Sequence, residues 1–113
     1  MNIIQTIYEK LKKYNIVQSY YFYRDYINNN NYNFNLVISL CENIEAPSYE
    51  SLNIAFYGIT NFKINDLDNM YRIMINIEDV SSYQNEFVKY KIKEIEYDMF
   101  SFGCVKIDIC DKY

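Results

Sequence analysis

Carboxylates are the side chains of this sequence with the means to do chemistry. They fall in close groups: Asp66 with Asp68, Glu78 with Asp79, Glu94 with Glu96 and Asp98, and Asp108 with Asp111. Two carboxylates across a sugar bond can serve as acid and base, and two or three with waters can hold Mg²⁺. Neither arrangement is specified here. Asp66-Leu67-Asp68 lacks the glycine and the closing glutamate of a calcium loop. Glu94 and Glu96 beside Lys93 arise on any strand face with alternating charge, so a solvated face or a partner surface is expected before a metal site.

Other chemistries are removed by composition. The chain has no histidine, which excludes imidazole acid–base work and His-liganded metals. Two glycines, Gly58 and Gly103, cannot build a phosphate-cradling loop. Cys41, Cys104 and Cys110 are odd in number and lack a C-x-x-C spacing. With no histidine to activate them, they are expected to be free, mostly buried thiols of a reducing cytoplasm. No enzyme activity and no cofactor is expected.

Charge narrows the partner. The net charge is −4 and the isoelectric point about 4.7, which disfavours nucleic acid and suits solubility or a basic protein partner. The apolar runs are short and interrupted, so no transmembrane span is expected. Fourteen tyrosines and no tryptophan offer stiff, amphipathic contact area of the kind interfaces use. Lys89, Lys91 and Lys93 put three cations on one strand face. The expected reading is a lysine-protected edge strand, ahead of an acidic-partner strip.

Positioning these groups takes one domain, residues 1–113. Met1–Tyr14 carries Ile3, Ile4, Ile7, Tyr8 and Leu11 at helical spacing, with Asn15 as a stop. Ser19–Ile27 reads as an aromatic strand with Tyr21 and Tyr23 on one side and Tyr20, Phe22 and Tyr26 on the other. The run Asn28–Asn31 closes a turn through positive φ. Further strands follow at Phe34–Leu40, Leu52–Tyr57, Ile73–Ile77, Val88–Tyr97 and Phe100–Cys110, with a loop over Glu42–Glu50. Asn61–Met70 is irregular, with Phe62 and Ile64 able to extend a strand. Apolar parity flips near Lys93–Glu94, where Ile95 and Tyr97 become the apolar positions, and again around Gly103. A β-bulge is expected at each. The fold class is α+β: an N-terminal helix packed on a mainly antiparallel meander sheet or small sandwich of about six strands.

The strand series Leu52-Asn53-Ile54-Ala55-Phe56-Tyr57-Gly58-Ile59, Ile73-Met74-Ile75-Asn76-Ile77-Glu78-Asp79, Tyr90-Lys91-Ile92 and Glu96-Tyr97-Asp98-Met99-Phe100-Ser101-Phe102 resembles small bacterial immunity proteins. These are the inhibitors encoded beside polymorphic toxins, including those of contact-dependent growth inhibition systems. The resemblance covers about the last two-thirds of the chain. It implies a cytoplasmic, non-catalytic protein that binds a cognate toxin, often a basic nuclease, and occludes its active site. Such families share no fixed binding residues. The surface expected to meet the toxin is Asp66, Asp68, Glu78, Asp79, Glu96 and Asp98 with exposed tyrosines near them. A structural or self-associating β-rich module, a homo-oligomer, stays open as the alternative.

Overall fold

Two four-stranded antiparallel sheets face each other in a computed structural model that describes residues 2–29, 31–42, 50–65, 71–83 and 88–110. Helix α1 (Ile3–Leu11) comes first, followed by β1 (Ile16–Asn28), β2 (Asn31–Cys41), β3 (Leu52–Tyr57) and β4 (Thr60–Ile64). The chain continues with β5 (Ile75–Asp79), a single 3₁₀ turn (Ser81–Tyr83), β6 (Tyr90–Glu94), β7 (Phe100–Cys104) and β8 (Lys106–Cys110). The first sheet has the order β1-β2-β3-β8 and the second β4-β7-β6-β5. The α+β class expected from sequence is the one observed; of the two arrangements expected, meander sheet or small sandwich, the chain forms the sandwich, with eight strands among the described residues where about six were expected. None of the described helices is long and apolar enough to cross a membrane.

Strict alternation builds the core. Leu36, Ile38, Leu40, Ile54, Phe56 and Ile107 point inward from the first sheet, and Ile75, Ile77, Ile92, Phe100 and Phe102 from the second. Rings lock the layers together: Phe56 meets Phe102 edge-on at 5.1 Å between centroids, and Phe62 meets Phe22 at 5.0 Å. Phe56 and Phe102 are both buried and contribute about 1.5–3 kcal/mol each, so this pair sets the spacing of the sheets.

The helix docks by its apolar stripe. Ile7 is buried, and Ile3, Ile4, Tyr8 and Leu11 pack beside it against the core. Asn2 caps the first turn by accepting the Gln5 N–H at 2.9 Å, and the Asn15 amide donates to the Leu11 carbonyl at its other end. Tyr8 fixes the helix to β5: Ile77 N–H donates to its hydroxyl at 2.8 Å, and the hydroxyl donates to Ile77 O at 3.2 Å. The β1–β2 hairpin turns through Asn29 at φ 43°, as the asparagine run predicts.

Neither expected bulge explains its parity flip. Between Phe102 and Val105 the chain leaves one sheet for the other, so Phe100–Cys110 is two strands that share no sheet. Val105 N–H donates to Tyr57 O at 2.8 Å at that corner, and β3 crosses to β4 beside it through Gly58. Gly58 has φ +70°, and a Cβ there would sit 2.9 Å from Val105 Cγ2, so only glycine fits the crossing. A register shift does occur opposite Gly103, but on β4, where Asn61 takes φ 53° between Thr60 and Lys63.

Candidate partner-binding site

The flip at Lys93–Glu94 has a different cause, and it organises the site. Tyr90, Ile92 and Glu94 alternate without interruption, and β6 ends with Glu94 paired to Ile75 on the inward side. Glu94 is 0% exposed. A carboxylate in such a place needs donors, and four backbone N–H groups supply them. Oε2 accepts from Met74 at 3.1 Å and Glu96 at 2.9 Å, and Oε1 from Tyr97 at 2.8 Å and Met99 at 3.3 Å. Burial pushes the Glu94 carboxyl up, but the four N–H bonds outweigh it and hold it below the usual glutamate value. The carboxylate thus ties the β6–β7 connection to the segment leading into β5.

That tie turns apolar side chains outward. Ile95 is 50% exposed, Tyr97 64% and Met74 53%, the reverse of the core role expected for Ile95 and Tyr97. Ile95 N–H donates to Met74 O at 2.8 Å, so the two residues sit together. Glu96 and Asp98 rim them. Asp98 takes φ 54°, and its carbonyl accepts from the Asn65 amide at 2.6 Å. A cleft of about 350 Å³ runs from Glu96 and Met74 to Leu11 and Lys12 of the helix. Aromatic, aliphatic and methionine groups on a held backbone with acidic neighbours are the composition that interface centres favour.

Of the six acidic residues expected to contact a partner, Glu96 and Asp98 lie together on this surface. Glu78 pairs with Lys91 and Asp79 with Tyr90, toward the other end of the β5–β6 ladder. Asp79 accepts from the Ser81 hydroxyl at 2.6 Å and N–H at 3.0 Å, bonds that hold its carboxyl below the usual aspartate value. Asp66 and Asp68 lie outside the described residues.

Across residues 1–109 the sequence matches the family model of immunity protein PIM8. The chain belongs to that family. No curated protein and no solved structure shows a significant match to it. Membership gives a PIM8 immunity protein a cognate toxin as its partner and an immunity role.

For this PIM8 protein, the lysine row needs a new account. Strand β6 lies between β7 and β5, so Lys91 and Lys93 protect no edge. They stand on the outer face of the second sheet, where they line an open groove. Among the described residues no group of three His, Cys, Asp or Glu could hold a metal ion. Cys41 and Cys104 are buried free thiols and Cys110 a half-buried one, and burial pushes the Cys104 thiol up to about 12.

Missed from sequence were Glu94 as an internal anchor and Ile95, Tyr97 and Met74 as surface groups. The available signal was the unbroken Tyr90-Ile92-Glu94 alternation, which puts a carboxylate at an inward position.

Proposed function

We propose that this protein binds its cognate toxin domain in the cytoplasm, as in contact-dependent growth inhibition, and neutralises it by covering the active site. It is a stoichiometric inhibitor with no catalysis or cofactor of its own. The toxin is a basic protein, a nuclease in this reading, because acidic groups then stand in for phosphate and steer association. The contact surface has the Ile95–Asp98 loop with Glu96 and Asp98 at one end and Glu78 and Asp79 toward the other end of the β5–β6 ladder; Asp66 and Asp68, outside the described residues, are assigned to it from sequence alone. One observation carries this reading: four N–H bonds to buried Glu94 fix the loop on which exposed Ile95 and Tyr97 alternate with Glu96 and Asp98. A loop already fixed loses little entropy on binding.

The test is capture of partners by the tagged protein at low salt from its source cell, followed by titration of the recovered toxin with wild type and E96K/D98K. A single basic polypeptide, released as salt rises and bound more weakly by the double variant, is expected. Recovery of the bait alone would sink the proposal. It would instead favour self-association through β1, a 13-residue edge strand with exposed Tyr26 and Ile27. Sedimentation at several concentrations would detect that assembly.

A further inference from the structure

We infer that the outer face of the second sheet is a groove that takes an extended acidic protein segment. The floor is β7, where the outward positions are Ser101 and Gly103, and both banks carry lysine: Lys63 on β4, Lys91 and Lys93 on β6. Glu78 of β5 lies cross-strand from Lys91 and lines the groove at its far side, so the excess of cations is Lys63 and Lys93. With strands about 4.8 Å apart, the banks stand about 10 Å from each other, the width of one extended chain. The resulting trough has a volume of about 610 Å³ and is open to solvent along its length.

The lysines carry the argument for an anionic chain. At Gly103 the floor is covered: a Cβ there would lie 3.0 Å from Thr60 Oγ1 and 3.1 Å from Val88 Cγ1, so these two side chains close over the glycine. Lys63 and Lys91 form no salt bridge among the described residues, and Lys93 reaches only Asp98, at 4.0 Å with both side chains exposed. Such surface pairs are weak and exchange readily. A small anion prefers an enclosed ring of donors, whereas separated lysines along an open trough match carboxylates repeated along a strand.

Through Lys93 and Asp98 the groove adjoins the Ile95–Asp98 loop, so the toxin would present an acidic segment beside its basic surface. The inference rests on the immunity reading only for the protein that carries the segment. Groove binding is tested on the isolated chain with a hexaglutamate peptide, followed by amide NMR shifts at low salt. Shifts at Lys63, Lys91, Ser101 and Gly103 are expected, with affinity about tenfold lower in K63Q/K91Q/K93Q. A K91Q single variant serves if the triple loses spectral dispersion, with a smaller loss expected. Absent shifts, shifts elsewhere, or equal saturation of the same amides by inorganic phosphate would overturn the inference. Toxin capture with no hexaglutamate response rejects the groove alone. A hexaglutamate response without toxin capture rejects the immunity reading alone.

Discussion

Glu94 Oε1 accepts the Tyr97 N–H at 2.8 Å, so a carboxylate closed to solvent carries a ring that is 64% exposed. Stability and the proposed contact surface meet in that bond. Replacing Glu94 with Gln leaves one acceptor oxygen for four N–H donors and brings an NH₂ against them. A loss of about 2–3 kcal/mol in urea unfolding is expected, together with loosening of the Ile95–Asp98 amides in hydrogen exchange.

Acid should act through the same group. The folded-state pKa of Glu94 lies below its unfolded value. Its contribution is therefore complete above about pH 4.3, the unfolded value, and is lost as pH falls through the folded one. Asp79, held low by Ser81, has the same sign. Urea midpoints measured from neutral to acid pH should fall in the wild type below about pH 4.3 and fall less in E94Q.

Tyr97→Ala separates binding from folding. An aromatic anchor at an interface centre is worth about 2 kcal/mol, or about a thirtyfold rise in Kd. Its exposure leaves little to lose on folding, so the thermal midpoint should stay within error of wild type. Calorimetric titration against the captured toxin checks the first expectation, and a melt the second.

At the sheet crossing, Gly58→Ala combines a left-handed backbone with a methyl 2.9 Å from Val105 Cγ2. Destabilisation of about 1–3 kcal/mol is expected. G58A/V105A should recover the steric part and keep the backbone part. A double-mutant cycle that shows strict additivity would refute the contact.

Thiol labelling should be ordered by burial. Cys110 is half-buried, whereas Cys41 and Cys104 are closed to solvent and Cys104 is pushed up to about 12. With an aromatic disulfide reagent near neutral pH, one thiol should react quickly and the other two only on unfolding. Fast reaction of all three would contradict the packing.

The helix, β1 to β3 and the asparagine turn were legible in the sequence because each is set by its own period and turn residues. The site was not, for a local reason. After Ile92 the sequence offers two parities, one carrying Glu94 inward and one carrying Ile95 and Tyr97 inward. Hydrophobicity favours the second, while four backbone donors select the first. The lysine row failed differently, since whether β6 is an edge depends on the order β4-β7-β6-β5. The break at Val105 was hidden because the strands on either side of it are separated by a single residue.

That corner also determines how the molecule can come apart. Strand β3 pairs with β8 and β4 with β7, and the Val105–Tyr57 bond bridges the gap between the two ladders. Residues 52–64 and 100–110 thus run as one two-stranded ribbon folded over on itself, with one layer of the sandwich built outward from each limb. A book hinged in this way cannot lose one cover and keep the other. Breathing of either sheet must strain the shared spine, so the amides of β3, β4, β7 and β8 should exchange together, as a single cooperative block.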